Sequence, residues 1–405
     1  MDYTKEYSQP TQSMKSSLIR ELVASTRNIP GLISFAGGFP SPSTFPKDIL
    51  SDLYSRVIIE EGMEVLQYGA SEGDRQLKEE LIKWEGYRGL TPEEMLITVG
   101  ATNGIYYYAK TFINPGDVIL CEAPSFLGSL VTFEAIGAEV HGIDMNGEGI
   151  DLEKLQSKIT ELRAAGKNIK FLYTIPDFQN PSGISMTLQR RKDLISLCEA
   201  SQLPIMEDNP YSRLRFLNKP IATLYAIARK DFNNSNLVTE IVSFSKILGP
   251  GMRLAFVKGP ADVISKMESW QQKINVTPDC VTQRVATRFL EKGFMTPHIK
   301  TICEFYKPFL NKMLSELDKN MPSCVTWTKP EGGIFVWLWL PENMSADELF
   351  VKAKDHKVTF IPGSKFYPTG QEKVNCLRLN FTFSSMQQIE EGIGRLGELI
   401  RSQID

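Results

Sequence analysis

Residues 241–258 read IVSFSKILGPGMRLAFVK, and the prediction of the fold starts from this stretch. An apolar strand leads to Lys246, and after a Gly-Pro-Gly turn a second apolar strand is opened by Arg253. Apolar residues on both sides of Lys246 predict partly dry surroundings for its amine, and burial lowers the pKa of a lysine. Because a neutral lysine amine attacks carbonyl groups, the stretch indicates a nucleophile.

The same stretch predicts a site for a phosphate dianion. The hydroxyls of Ser243 and Ser245 and the guanidinium of Arg253 converge on one strand end, and such groups bind phosphate well. A lysine beside a phosphate site favours a phosphorylated aldehyde, and pyridoxal 5′-phosphate is the cofactor that fits. The alternative is a surface lysine at a strand end beside two turn serines.

Length and composition limit the remaining possibilities. The 405 residues exceed one ordinary core, and 42% hydrophobic with 23% charged residues is typical of a soluble globular protein. A net charge of −3 argues against nucleic acid as the main partner. We expect no membrane span and a cytoplasmic location, since there is neither a long apolar run nor a signal-peptide core. Scattered cysteines and three isolated histidines make a metal site a poor hypothesis.

From residue 95 onward, apolar strands and amphipathic helices alternate along the chain. This pattern predicts an α/β fold with a large, mostly parallel sheet flanked by helices. Ligands of such sheets bind beyond the carboxyl ends of the strands. Polar and aromatic residues follow those predicted strand ends, namely Thr102, Phe126, Asn180, Asp208, Tyr211 and Ser243.

After Arg253 the composition changes to long helices and then to mixed strands and helices, which predicts a smaller α+β domain. We expect an N-terminal arm with part of the small domain over 1–45, a large cofactor domain over 46–290 and a small C-terminal domain over 291–405. A helix is predicted near 15–27, with Arg20 on its polar side.

Arg378 stands out because it lies on an otherwise apolar predicted strand, CLRLNF. A buried arginine requires an anionic partner. That partner is either a protein carboxylate in an internal salt bridge or the carboxylate of a substrate, and the sequence leaves both open.

Pyridoxal phosphate requires a lysine, a phosphate site, an acid near its ring nitrogen and a platform for its ring. Asp208 at a strand end would keep that nitrogen protonated. Asn180 and Tyr211 could bind the phenolic oxygen, and Phe126 could stack on the ring. Lys246, once displaced by a substrate amine, could act as the base.

Eight segments resemble one family in its order: ISFAGGFPSPSTFP, QYGASEGDRQLKEEL, ITVGATNG, YTIPDFQNPSG, EDNPY, SFSKILGPGMRLAF, PEGGIFVW and CLRLNF. The sequence resembles the fold-type I pyridoxal-phosphate aminotransferases of class I/II over nearly its whole length. Within them it is similar to the 2-aminoadipate, kynurenine and aromatic or branched-chain subgroup.

The resemblance implies a role for each candidate residue. Lys246 would carry the cofactor as an aldimine, and Arg378 would hold the substrate α-carboxylate with help from Asn180 and the Gly38 backbone. A homodimer would place Tyr68 in the phosphate site of the partner subunit, and Arg20 would meet the substrate side chain. The implied cofactor contacts are Ala101, Thr102, Phe126, Asn180, Asp208, Tyr211, Ser243, Ser245, Lys246, Arg253 and Tyr68.

Two positions depart from the pattern of the family. Ala101 stands where the phosphate turn usually has serine, so Thr102 and backbone N–H groups must contribute more. Phe126 stands where tyrosine is frequent, and the ring platform therefore lacks a hydroxyl.

The expected activity is transfer of an amino group from an L-amino acid to a 2-oxo acid, with 2-oxoglutarate as the expected acceptor. Aminoadipate, aromatic and branched-chain donors stay open. One alternative is a β-lyase or decarboxylase that uses the same cofactor. A second is a ligand-sensing regulator, which the acidic charge and the shortness of residues 1–30 disfavour.

Overall fold

The computed structural model describes residues 3–8, 11–12, 29–87 and 89–404. Within it, the stretch 241–258 forms the predicted pair of strands, and Ser243 lies opposite Ala255 in the antiparallel register. Lys246 lies in the connection between them. The helix predicted near 15–27, with Arg20, falls outside the described residues.

The described chain alternates strands and helices as the pattern predicts. The strands are β1 (Ile33–Ser34), β2 (Met95–Thr98), β3 (Val118–Ala123), β4 (Glu139–Asn146), β5 (Gly149–Ile150), β6 (Ile169–Thr174), β7 (Ile205–Asn209), β8 (Val238–Ser243), β9 (Ala255–Lys258), β10 (Thr326–Trp327), β11 (Phe335–Trp339), β12 (Val358–Thr359), β13 (Ile361–Pro362) and β14 (Cys376–Asn380). The helices span Lys47–Val65, Arg75–Glu85, Ala101–Phe112, Leu127–Ile136, Leu152–Ala164, Leu188–Ala200, Leu224–Asp231, Ala261–Ile274, Cys280–Glu291, Met295–Asn320, Ala346–Ala353 and Met386–Arg401.

Local capping explains where several helices begin and end. Asp74 accepts hydrogen bonds from the N–H groups of Gln76 and Leu77, so the helix Arg75–Glu85 begins directly after it. That helix ends at Gly86, whose φ of +70° is the left-handed conformation that glycine adopts without strain.

The large sheet has the order β2-β9-β8-β7-β6-β3-β4-β5. Its central strands β8, β7, β6, β3 and β4 are parallel, whereas β9 is antiparallel to both of its neighbours. The predicted α/β fold with a mostly parallel sheet is therefore confirmed. The carboxyl ends of the parallel strands share one edge, and this edge carries the candidate residues.

A second, smaller sheet has the order β10-β11-β14-β13 and is antiparallel throughout. The N-terminal strand β1 pairs in parallel with β12, which ties residues 33–34 to the C-terminal part of the chain. Helix Met295–Asn320 packs against both cores: its first half buries Ile302 in the larger core, and its second half buries Met313 in the smaller one. The predicted domain boundary at 290/291 stays a prediction.

One helix, Leu224–Asp231, is not predicted by the sequence pattern. Its first N–H groups, those of Leu224 and Tyr225, donate to the buried carboxylate of Glu207. That partner comes from β7, so it gives no local signal, whereas Thr223 does: its hydroxyl accepts from the Ala226 N–H (3.1 Å) as the N-cap, and the prediction overlooked it. Across the described ranges, no helix combines the length and hydrophobicity that crossing a bilayer requires.

Candidate active site

The amine of Lys246 lies at the carboxyl edge of the large sheet. Its Nζ donates a hydrogen bond to Gly38 O (2.8 Å), so it contacts the glycine turn that follows β1. Burial, and after it the positive charge of Arg378, lowers the pKa of Lys246 to about 8. A substantial fraction of the amine is therefore neutral near neutral pH, as a nucleophile requires.

Asp208 at the end of β7 is buried, with one carboxylate oxygen bound and the other free. Tyr173 OH donates to Asp208 Oδ2 (2.7 Å), and Ser129 Oγ donates in turn to Tyr173 OH (2.9 Å). Oδ1 has no partner among the described residues. Burial raises the pKa of Asp208 to about 6, and the Tyr173 hydrogen bond opposes this shift. The carboxyl group is thus largely ionised at neutral pH, with one acceptor site left for a cationic or N–H ligand.

Arg378 on β14 is buried and is held by neutral acceptors. Nη1 donates to Asn180 Oδ1 and Nη2 donates to Ala36 O, each at 2.9 Å. Its guanidinium lies 4.1 Å from the Phe335 ring centroid and 4.9 Å from that of Phe366. In the described part of the chain, no carboxylate lies within ion-pair distance of Arg378, which argues against the internal salt bridge. Burial lowers the pKa of Arg378 to about 10.

Tyr211 lies beside this arginine. Its ring meets Phe335 edge to face at 6.0 Å, and the whole side chain is buried. Burial raises the pKa of the Tyr211 hydroxyl, while Arg378 and a hydrogen bond with Asn180 oppose the rise. Asn180 therefore contacts both Arg378 and Tyr211.

The predicted phosphate site forms around an uncapped helix start. Helix Ala101–Phe112 follows Gly100, and no side chain caps it, so its first N–H groups are free to bind an anion. A Cβ added at Gly100 would lie 2.5 Å from Arg253 Nη2, so only glycine admits this guanidinium. Strand β9 lies between the two halves of the phosphate site. Its Ala255 pairs with Thr98, which precedes the helix start, on one side and with Ser243 on the other.

The other predicted phosphate contacts follow from this arrangement. Ser243 is buried and its Oγ accepts the Ser245 N–H (3.2 Å), so both serines belong to one tight turn. Thr102 is exposed in the first helical turn, and Ala101 is partly buried beside it.

Phe126 directly precedes helix Leu127–Ile136, and its ring lies over Gly128, where an added Cβ would come within 2.6 Å of it. The neighbouring Ser125 N–H donates to Phe366 O (2.6 Å). The Phe126 turn is therefore joined to the segment that packs on Arg378.

The placement of two predicted residues is not tested. Tyr68 is 78% exposed on the single chain. Its predicted role requires a second copy of the chain, so it stays a prediction. Arg20 is outside the described residues.

Sequence reasoning missed several neighbours of the site. Tyr173, which orients Asp208, opens the quoted segment YTIPDFQNPSG, but no role was assigned to it, and Ser129, which donates to Tyr173, lies in no quoted segment. Phe335 lies in the quoted segment PEGGIFVW, which could have signalled it, but the contact with Arg378 comes from strand pairing between β11 and β14. Within the described ranges, no cluster of histidine, cysteine and acidic side chains could hold a metal ion.

These features fit pyridoxal phosphate. The unpartnered Asp208 Oδ1 suits a protonated ring nitrogen, and the uncapped helix start beside Arg253 suits a phosphate. The Lys246 amine suits an aldehyde.

Comparison with known proteins gives the same result. Residues 39–396 match the family "Aminotransferase class I and II". Aromatic-amino-acid aminotransferase 1 of Thermococcus litoralis is 36% identical over 100% of this chain and 96% of its own length. The 2-aminoadipate transaminase of Thermus thermophilus is 33% identical over 99% of this chain and 98% of its own length.

Among solved structures, Pyrococcus horikoshii kynurenine aminotransferase, in complex with pyridoxamine phosphate and with kynurenine as substrate, superposes with a TM-score of 0.95. It is 36% identical, and the match covers 100% of this chain and 99% of that one. The chain therefore belongs to the class I and II aminotransferases and is an enzyme that uses pyridoxal 5′-phosphate as its cofactor.

Proposed function

We propose that this enzyme transfers the amino group of an L-amino acid, with an aromatic, 2-aminoadipate or branched-chain side chain, to 2-oxoglutarate. The observation that carries the proposal is the Arg378 guanidinium, which is buried and bound by Asn180 Oδ1 and Ala36 O rather than by a carboxylate. A buried cation of this kind is stabilised when an anion binds it. The α-carboxylate that amino acids and 2-oxo acids share is such an anion.

Lys246 is the proposed nucleophile and base. When bound, pyridoxal phosphate supplies an aldehyde and a ring that withdraws electrons from the substrate α-carbon. Lys246 Nζ would hold the cofactor through its aldehyde group, and the same amine, when free, would accept and return the substrate α-proton. Asp208 holds a proton on the ring nitrogen, and the Tyr173 hydroxyl orients this carboxylate.

The remaining proposed contacts position the cofactor. Asn180 and Tyr211 bind the phenolic oxygen, and Phe126 stacks on the ring. The phosphate is bound by Ala101 and Thr102 through their N–H groups and by Ser243, Ser245 and Arg253. The Gly38 backbone adjoins the substrate, since its carbonyl accepts from Lys246 Nζ.

A homodimer completes the site in this proposal, with Tyr68 of each copy reaching the phosphate of the other. The exposed apolar side chains on helix Lys47–Val65 support an interface there, with Ile59 79% and Met63 99% exposed. Arg20 is proposed to approach the side chain of an acidic substrate.

The substrate class is supported by the relatives, which are named for aromatic amino acids, 2-aminoadipate and kynurenine. The rings of Tyr211, Phe335 and Phe366 are buried around Arg378, so they border the proposed carboxylate site and do not select the side chain.

A donor panel tests the proposal. Purified holoenzyme is incubated with 2-oxoglutarate and either L-phenylalanine, L-kynurenine, L-2-aminoadipate or L-leucine, and glutamate is measured. We expect glutamate with at least one aromatic or aminoadipate donor. Release of ammonia and pyruvate from a β-substituted donor, or of carbon dioxide, without any glutamate would instead indicate a lyase or decarboxylase and refute the proposal.

A further inference from the structure

Glu122, on β3, is a fully buried carboxylate that no cation among the described residues neutralises. Its Oε1 accepts from Thr174 Oγ1 (2.6 Å), and its Oε2 accepts from Ile175 N (3.1 Å) and Gln179 Nε2 (3.2 Å). All three donors belong to the segment that joins β6 to Asn180. Glu122 thus binds this segment at three points.

Gln179 extends the connection in two directions. Its Nε2 also donates to Pro124 O (2.7 Å), two residues before Phe126, and its Oε1 accepts from Ser182 N (2.8 Å), two residues after Asn180. The Gln179 side chain is itself fully buried. Glu122 and Gln179 together therefore join the Phe126 turn to the Asn180 turn.

We propose that Glu122 is a positioning residue for the reaction, which holds the Phe126 turn and the Asn180 turn in a single relative arrangement. The inference rests on the proposed function, in which Phe126 stacks on the cofactor ring and Asn180 binds its phenolic oxygen. It adds a residue that touches neither the cofactor nor the substrate but fixes the distance between two groups that do.

A carboxylate suits this position better than an amide. All three partners donate to the carboxylate here; Ile175 N and Gln179 Nε2 can only donate, and a glutamine at 122 could satisfy all three only if the Thr174 hydroxyl turned to accept from its NH2 group. Burial raises the pKa of Glu122 to about 7, and the hydrogen bonds from Thr174, Ile175 and Gln179 oppose this rise. Keeping the group ionised costs folding free energy, which is consistent with a role other than stability.

The test compares Glu122→Gln with Glu207→Gln. Glu207 is an equally buried carboxylate, but it accepts from the N–H groups of Leu224 and Tyr225 and has no bond to either turn. Both substitutions replace a buried carboxyl group with an amide of the same size. Only Glu122→Gln should weaken the hydrogen bonds that join the Phe126 turn to the Asn180 turn.

The first readout is amide hydrogen exchange of the apoenzyme over residues 174–186. We expect exchange at least about tenfold faster in Glu122→Gln, because a neutral amide accepts more weakly than a carboxylate and weakens the hydrogen bonds that protect the segment. Glu207→Gln should leave this segment unchanged. Equal exchange in wild-type protein and Glu122→Gln would overturn the proposal.

The second readout is the pH midpoint of the absorbance change of the bound cofactor. Asn180 as a donor to the phenolic oxygen lowers this midpoint, so its displacement in Glu122→Gln should raise the midpoint by about 0.5–1 unit. If Glu122 had only a structural role, Glu122→Gln would lower thermal stability but would have the same midpoint as Glu207→Gln. That result would also overturn the proposal. If the wild-type protein takes up no pyridoxal phosphate, the proposed function fails, whereas the exchange readout still tests the connection between the turns.

Gln179→Met keeps the proposal testable if Glu122→Gln does not fold. It removes the bonds to Pro124 and Ser182 and leaves Glu122 with two donors. We expect faster exchange and a raised midpoint here as well. A Gln179→Met enzyme with an unchanged midpoint would contradict the proposal.

Discussion

Two lysines of the stretch 241–258, Lys246 in the connection between β8 and β9 and Lys258 at the end of β9, differ in their charged neighbours and in the direction of their pKa shifts. Lys258 Nζ is fully buried and forms ion pairs with Glu240 (2.8 Å) and Glu85. Burial alone would lower its pKa, but Glu240 and Glu85 outweigh burial and raise it. Lys246 forms no ion pair with a carboxylate of the described residues, and burial together with Arg378 lowers its pKa to about 8. The comparison teaches that the charges brought to a buried lysine, rather than burial alone, decide whether it is a structural cation or a nucleophile.

The two environments also differ in what surrounds the amine. Lys258 Nζ lies 4.5 Å from the ring centroid of Tyr87 and 5.1 Å from that of Tyr225, within a closed set of charges and rings. Lys246 Nζ makes its described hydrogen bond to a backbone carbonyl, that of Gly38. One site is satisfied by the protein, and the other is open to a ligand.

The largest expected effect is the loss of chemistry in Lys246→Ala. Removing the nucleophile and base should reduce amino transfer by roughly a thousandfold or more, because both functions depend on one amine. Turnover of the purified variant with the best donor measures this. Lys258→Ala, compared per folded molecule, should retain most of the turnover. Full activity in Lys246→Ala would refute its role.

Lys258→Met should affect stability instead. It leaves the buried carboxylates of Glu85 and Glu240 without their shared cation, which should lower the free energy of unfolding by about 3–5 kcal/mol. Urea unfolding of the apoenzyme measures this loss. Lys154→Met, which breaks an exposed pair with Asp144, serves as control and should change stability by less than about 1 kcal/mol. Equal stabilities of the two variants would contradict the contrast between buried and exposed pairs.

Arg378→Gln changes the charge that Lys246 experiences. We expect kcat/KM for the amino donor to fall about 100-fold, since the proposed carboxylate ligand is lost. Removing a positive neighbour should also raise the pKa of Lys246, so cofactor capture by the apoenzyme should require higher pH. Capture followed by absorbance from pH 6 to 10 measures the shift. Arg56→Gln, which breaks an exposed helical pair, is the control, and an unmoved capture profile in Arg378→Gln would count against the coupling.

The smallest expected effect is on the pH dependence of apoenzyme stability. The pKa of Lys246 is about 8 in the folded protein and 10.5 as its ordinary value, so between these pH values the unfolded chain binds more protons. The free energy of unfolding should therefore rise from pH 8 to 10.5. The stabilising contribution of neutral Lys246 is lost as the pH falls through 8. Lys246→Met should remove about 1–3 kcal/mol of that rise. Urea unfolding at pH 7.5 and 10 measures the difference, and parallel curves for the two proteins would show that Lys246 is not perturbed.

Much of the fold could be predicted because its signals are local. Apolar runs of strand length alternating with amphipathic helices indicated the mostly parallel sheet, and the sheet order confirms it. Helix Leu224–Asp231 has one local signal, the N-cap Thr223, which the prediction overlooked. Its first two N–H groups bind Glu207, a carboxylate from another strand, and this second contribution has no signal within the segment itself.

The candidate site likewise contains residues that a local sequence signal identifies and residues that none identifies. Lys246, Asp208, Asn180 and Arg378 could be named because each follows or interrupts an apolar strand. The contact of Tyr173 with Asp208 could not be predicted, although Tyr173 opens the quoted segment YTIPDFQNPSG, and Glu122, which holds the Asn180 segment, could not be named. Each acts through a side chain on a neighbouring strand, and a single sequence does not specify which strands are neighbours.

The sequence by itself determined the chemistry that this chain can perform, because residue types at strand ends indicate which groups meet a ligand. It named Lys246 as the nucleophile from its apolar neighbours and the adjacent phosphate-binding residues, and it left the role of Lys258 open. Only the tertiary structure decided the charges around the two amines, by bringing Glu85 from helix Arg75–Glu85 to Lys258 and Arg378 from β14 to the vicinity of Lys246. The physical reason is that electrostatic energy depends on distance in space, and these partners lie more than a hundred residues away along the chain.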